Sequence, residues 1–129
     1  ENGFPIFGTC AGAVLLSSSI IEMEHEIKQE SLRLADVKAI RNYFGRQTRS
    51  FIEYLSIRGL ENTFRGVFIR APLLQPLSTE IDVLCSVDDG PVLVRQNNLW
   101  LSSFHPELTS DDRLHRLFLE ESGLLGREE

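Results

Sequence analysis

Short apolar runs recur along the chain, each closed by glycine, proline or charged residues, and this spacing predicts strands joined by turns with few helices. Phe4-Pro5-Ile6-Phe7 has the composition of a short buried strand, and residues 11–16 begin a helix with an apolar face. Ser17-Ser18-Ser19 then interrupts the helical pattern. Residues 20–34 are charged and loosely periodic, which predicts a surface excursion that is partly helical. Residues 36–40 alternate well enough for a strand, and residues 50–57 alternate apolar and polar positions, as a strand with one wet face does. Residues 66–70 form a near-continuous apolar run, which suits a strand covered on both faces. Residues 81–87 read as another strand. Residues 91–96 and 99–104 read as the arms of a hairpin around Asn97-Asn98, because asparagine tolerates positive φ at modest cost. Asp111 and Asp112 open an acidic-first helix over residues 113–121, with Leu114, Leu117 and Phe118 on one face and Ser122-Gly123 as its stop. Residues 126–129 read as a frayed tail.

Gly8-Thr9-Cys10-Ala11-Gly12 falls where the first strand gives way to the first helix, and it has the shape of a nucleophile elbow. Small flanking residues let neighbouring backbone approach a strained turn without a Cβ clash. A helix starting at that point aims unpaired N–H groups at the sulfur and favours thiolate over thiol. The N–H of Ala11, following the nucleophile, is a candidate oxyanion donor. The same pentapeptide also suits a small cysteine packed under a helix, and choosing between the two needs partners elsewhere in the chain.

Composition narrows the setting. The chain has 129 residues, 42% hydrophobic and 25% charged, which is enough for one core and too little for two typical domains. Residues 1–129 are therefore read as a single domain. A formal net charge of −6, with scattered basic residues, offers no general attraction to nucleic acid or an anionic membrane surface. No apolar stretch approaches the length of a membrane span. Cys10 and Cys85 have no paired spacing, so a reducing cytoplasm is the simplest compartment, and Cys85 reads as core filler.

The partners of Cys10 are sought at strand ends. His105 and Glu107 stand two positions apart around Pro106, and in an extended segment both side chains lie on one side. A carboxylate that accepts from one ring nitrogen fixes the tautomer, leaving the other nitrogen to exchange a proton with a thiol. Cys10, His105 and Glu107 thus compose a candidate triad. The absence of close ligand spacing argues against zinc as the alternative. Arg41 opens a loop of planar polar groups, Arg41-Asn42-Tyr43-Phe44-Gly45-Arg46-Gln47, that reads either as a carboxylate clamp or as a solvated surface loop. Arg70, ending an apolar run before Ala71-Pro72, either meets a ligand or pairs with a structural carboxylate. His25 and His115 read as solvated or edge residues.

Four segments taken together resemble the glutaminase subunit of pyridoxal 5'-phosphate synthase, a branch of the class I, triad-type glutamine amidotransferases. They are Gly8-Thr9-Cys10-Ala11-Gly12, the Arg41 to Gln47 loop, Gly66-Val67-Phe68-Ile69-Arg70-Ala71-Pro72 and Phe104-His105-Pro106-Glu107-Leu108-Thr109. The resemblance implies an α/β, flavodoxin-like, doubly wound and mostly parallel sheet bearing the elbow. It implies a glutamine amidohydrolase in which Cys10 is the nucleophile, His105 the proton carrier and Glu107 its orienter, with Arg41, Ile69 and Arg70 lining the L-glutamine site. It further implies no cofactor, no metal, and a hetero-oligomeric synthase subunit that receives the ammonia for vitamin B6 biosynthesis.

Two departures accompany the resemblance. Family members carry a strand and a glycine-rich loop before the elbow, and this sequence begins almost at the elbow, so the domain is expected to be incomplete at its N-terminus. The charged stretch from Ser17 to Arg33 is longer than its family counterpart. The alternative reading is a non-catalytic member that retains only the partner-binding surface. A cysteine hydrolase of esters or peptides shares the elbow and leaves Arg41 and Arg70 unexplained.

Overall fold

The computed structural model describes residues 4–22, 25–26, 31–41 and 50–124. Its elements run β1 (Ile6–Thr9), α1 (Ala11–Leu16), β2 (Ser17–Glu22), β3 (His25–Glu26), β4 (Ala35–Arg41), β5 (Ser50–Leu55) and β6 (Phe64–Ile69). The chain continues as β7 (Leu73–Pro76), β8 (Asp82–Val87), β9 (Gly90–Gln96), β10 (Leu99–Ser102), a 3-10 turn at Pro106–Leu108 and α2 (Arg113–Glu121). The fold is α/β. Among the described residues the first sheet has the order β1-β10-β9-β8, the second β3-β2-β4-β7, and β5 pairs with β6. Pairing is mixed: β1–β10 and β2–β4 are parallel, and the other ladders are antiparallel.

The first sheet separates two apolar clusters, and consecutive residues of one strand feed both. Trp100 joins Leu55, Phe64, Phe68, Phe104, Leu114 and Phe118 on one side, whereas Leu101 joins Ala13, Val14, Val37 and Leu74 on the other. Alternation of side chains along a strand explains the split, and burial on both faces explains why β10 reads as an unbroken apolar run. Phe7 and Ile6 of β1 divide in the same way. From α2, Phe118 sets its ring edge-on against Trp100 at 5.5 Å and against Phe7 at 5.2 Å. His115 of the same helix is half-buried, with its ring tilted against that of Phe7 at 5.7 Å, an edge position as expected.

The segment following α1 departs from the expectation of a surface excursion. Ser17–Glu22 is a strand of the second sheet, and Ile20 is buried. Its serines are satisfied inside the fold: Ser17 Oγ donates to the Val14 carbonyl at 2.6 Å, and Ser18 Oγ donates to the Ala35 carbonyl at 2.6 Å. A hydroxyl bonded in this way costs little to bury, so a serine run does not force the chain to the surface. Strand β6 also differs from expectation. Among the described residues it pairs only with β5, and it alternates buried Phe64, Gly66 and Phe68 with exposed Arg65 and Ile69, so one of its faces is wet. The expected frayed tail at residues 126–129 lies outside the described residues.

Candidate active site

The parallel register Thr9↔Ser102 brings the C-terminal ends of β1 and β10 to the same edge of the first sheet. Cys10 follows Thr9 directly. Its φ of 54° and ψ of −106° place a non-glycine residue in a costly region of backbone space, which persists only when its surroundings hold it there. Two backbone bonds do so: the Cys10 N–H donates to the Ser102 carbonyl at 2.7 Å, and the Val14 N–H donates to the Cys10 carbonyl at 3.1 Å. Gly8 makes the approach of α1 possible, since a Cβ there would lie 2.8 Å from the Gly12 carbonyl oxygen and 2.8 Å from Leu16 Cδ1. At Gly12 a Cβ would meet nothing, so close packing explains one of the two framing glycines and not the other.

Beyond β10 the chain is folded back on itself. Ser102 Oγ donates to the Phe104 carbonyl at 2.7 Å, the Ser103 N–H bonds the Val92 carbonyl, and the His105 N–H bonds the Val67 carbonyl of β6 at 2.8 Å. Pro106 then starts the 3-10 turn. Within it His105 Nδ1 and Glu107 Oε2 lie 2.6 Å apart. The two side chains therefore meet as expected, but across a tight turn and not along an extended segment. The short contact leaves Nε2 as the ring nitrogen available for proton exchange.

Strand β6 closes the cluster from the other side. The Cys10 thiol points at the Ile69 carbonyl, with 3.6 Å between sulfur and oxygen. Next in the chain, Arg70 is exposed with φ 49°, so like Cys10 it is a non-glycine residue with positive φ. Ile69 itself is 40% exposed. Arg41 ends β4 in the second sheet, half-buried and level with Glu22 of β2. Residues 42–47 of its loop lie outside the described residues.

Electrostatics correct one expectation. The Cys10 thiol is pushed above its ordinary value, first by burial; the Ala11 N–H lowers it, and the Glu107 charge adds to the rise. Desolvation thus outweighs the start of α1, and the free chain holds Cys10 as a thiol at neutral pH. Cys85 is buried and pushed up to about 11, mainly by desolvation, which fits its reading as core filler. It lines an open groove of about 370 Å³ with residues 56–58, 83, 84 and 86, none of which belongs to the candidate cluster.

Sequence comparison agrees with this geometry. Residues 1–123 match the SNO glutamine amidotransferase family. The chain belongs to that family. It is 47% identical over 119 residues to the pyridoxal 5'-phosphate synthase subunit PdxT of Thermosipho africanus, covering 92% of this chain and 61% of the relative. The corresponding subunit of Ignicoccus hospitalis is 49% identical over 122 residues, covering 94% of this chain and 61% of the relative. A solved structure described as a glutamine amidotransferase superposes with a TM-score of 0.83 at 49% identity, over 92% of this chain and 61% of that one. The chain thus spans about three-fifths of the length of these family members. Among the described residues no helix is long and apolar enough to cross a membrane.

The sequence reading did not single out Ser102, whose carbonyl and hydroxyl both act at the strand end. Its one signal is a polar residue closing the apolar run Leu99-Trp100-Leu101.

Proposed function

We propose that the protein hydrolyses L-glutamine to glutamate and ammonia through a Cys10 thioester, and passes the ammonia to a pyridoxal 5'-phosphate synthase subunit in the cytoplasm. The observation that carries this reading is the 2.6 Å contact of His105 with Glu107 at a strand end paired with the one that delivers Cys10. Because the thiol is held protonated, a base must take its proton as attack begins. His105 takes that proton. The sulfur adds to the side-chain amide carbon of glutamine, and the oxyanion turns toward the Ala11 N–H. Collapse of the adduct breaks the C–N bond, and His105 returns the proton to the departing nitrogen, which leaves as ammonia. Water then gives one proton to His105 and its oxygen to the acyl carbon. The C–S bond breaks, glutamate is released, and the proton returns to Cys10.

Glu107 keeps the imidazole in the tautomer that both transfers need. Arg70, exposed beside the Ile69 carbonyl that faces the sulfur, suits the substrate's α-carboxylate, with Arg41 as a second cationic contact and Ile69 as an apolar wall for the substrate stem. No cofactor or metal enters this scheme.

Glutamate release is to be measured on mixing the chain with a pyridoxal 5'-phosphate synthase subunit and glutamine. Turnover that depends on the subunit and disappears in Cys10→Ala supports the proposal. Release that persists in Cys10→Ala rules it out. Complex formation without turnover identifies the chain as a non-catalytic scaffold.

A further inference from the structure

Ser102 is fully buried, yet each of its two oxygens holds a different half of the site. Its carbonyl accepts the Cys10 N–H at 2.7 Å, which fixes the strained elbow from behind. Its hydroxyl donates at 2.7 Å to the carbonyl of Phe104, the residue that immediately precedes His105. The neighbouring backbone bonds, Ser103 N–H to Val92 and His105 N–H to Val67, attach the same turn to β9 and β6 but make no contact with the elbow. Resting on the glutaminase reading given above, we infer that Ser102 is a positioning residue that sets the separation of the Cys10 sulfur from the His105 ring. It touches neither substrate nor reacting atoms, and it acts through the two residues that do.

The hydroxyl is the separable part of this device. Ser102→Ala leaves the carbonyl and the β1–β10 ladder in place, and releases only the bond that bends Phe104 and His105 back toward the elbow. The Phe104 ring, fully buried against Phe64 and Phe68, holds the turn near its place, so the expected outcome is a misaligned histidine and not an unfolded chain. A small misplacement of a reacting group is costly because proton transfer and attack require near-contact geometry.

The test reads Cys10 directly, without glutamine. Alkylation of Cys10 by iodoacetamide is followed by mass spectrometry from pH 5 to about 10 for the wild-type chain and for His105→Ala, Ser102→Ala and Ser102→Thr. The ionisable groups that bear on the profile are Cys10 itself, Glu107, whose charge acts on the sulfur, and His105, the proposed proton acceptor. In the wild type, part of the reactivity near neutral pH is expected to depend on His105 and to be absent from His105→Ala. Ser102→Ala should lose that component while keeping the wild-type circular dichroism spectrum, and Ser102→Thr, which retains a hydroxyl, should restore it. In the glutaminase assay with the synthase subunit, Ser102→Ala should lower kcat by about tenfold with KM within about twofold.

A Ser102→Ala profile identical to wild type overturns the inference. So does a Ser102→Ala chain that fails to fold, since the hydroxyl is then structural, or a wild-type profile with no histidine-dependent component. A wild type that shows the component but does not turn over glutamine refutes the proposed function and leaves the positioning role of Ser102 standing.

Discussion

At the scale of single residues, Cys10 combines a reactive position with a thiol that the fold holds protonated. Burial is the leading cause, and the Glu107 charge adds to it. A raised pKa shrinks the thiolate fraction at neutral pH, so in the free chain the His105-dependent component of Cys10 alkylation near neutrality should be the minor part of the profile, and the main rise should come above pH 9. A profile that reaches its full height below pH 8 would contradict this. In the proposed mechanism Glu107 acts by holding His105 Nδ1, which lies 2.6 Å from its Oε2. Glu107→Gln preserves the size of the side chain, but its amide can donate to Nδ1 and so select the wrong tautomer. In the assay with the synthase subunit it should lower kcat by roughly 100-fold, the scale of a general acid–base contribution, with KM little changed. Activity within twofold of wild type would remove Glu107 from the machinery.

At the scale of elements, the elbow rests on a tight approach of α1 to β1. A Cβ at Gly8 would collide with the Gly12 backbone, which cannot swing away as a side chain can. Gly8→Ala should destabilise the fold by about 1–3 kcal/mol and impair the elbow, whereas Gly12→Ala, facing open space inside a helix, should be neutral or stabilising by up to about 1 kcal/mol. Chemical denaturation of the two variants would separate them, and equal effects would refute the packing argument. Helix α2 is tied down at its start by Asp111, which accepts the Arg113 N–H and guanidinium, while Arg113 also donates to the carbonyls of Asn62 and Thr63. Hydrogen bonding from Arg113 holds the Asp111 carboxyl below its ordinary 3.8. A depressed carboxyl stabilises the fold above its unfolded value, and this is lost as pH falls through the lower, folded one. Asp111→Asn should therefore lower Tm at pH 7 and make no difference once the pH is well below 3.8; a deficit that persists in acid would contradict the assignment.

Elements also differ in how openly the sequence announces them. The β9–β10 hairpin is legible because Asn97 takes φ 55° at its turn, and α2 because its apolar face repeats with helical spacing. Strand β2 is hidden by three serines whose partners lie elsewhere in the chain. Strand β7 is hidden by Pro72 before it and Pro76 at its end, where β4 pairs with it. The candidate triad follows from residue type and spacing alone. Its geometry does not, because the 3-10 turn and the Ser102 bond that shape it depend on contacts with β6 and β1.

At the scale of the whole molecule, the question is whether two apolar clusters on opposite sides of one sheet behave as one unit. They share strands β1, β9 and β10, and neighbouring residues on these strands point into different clusters: Phe7 and Ile6, Leu93 and Val94, Trp100 and Leu101. Loss of one cluster would strip one face of β10 and loosen the ladder that holds the other, so the two should unfold together. Trp100, the single tryptophan and almost wholly buried, reports on the first cluster by fluorescence. Leu101→Ala deletes buried volume only from the second cluster and should cost about 2–5 kcal/mol. In a urea titration of that variant, fluorescence and far-ultraviolet circular dichroism should shift together to a lower midpoint, because coincident probes are the signature of a single transition. Circular dichroism shifting while Trp100 fluorescence keeps its wild-type midpoint would mean that the clusters are independent. The elbow and the His105 turn, which sit where the shared strands end, would then lack the common support on which their alignment depends.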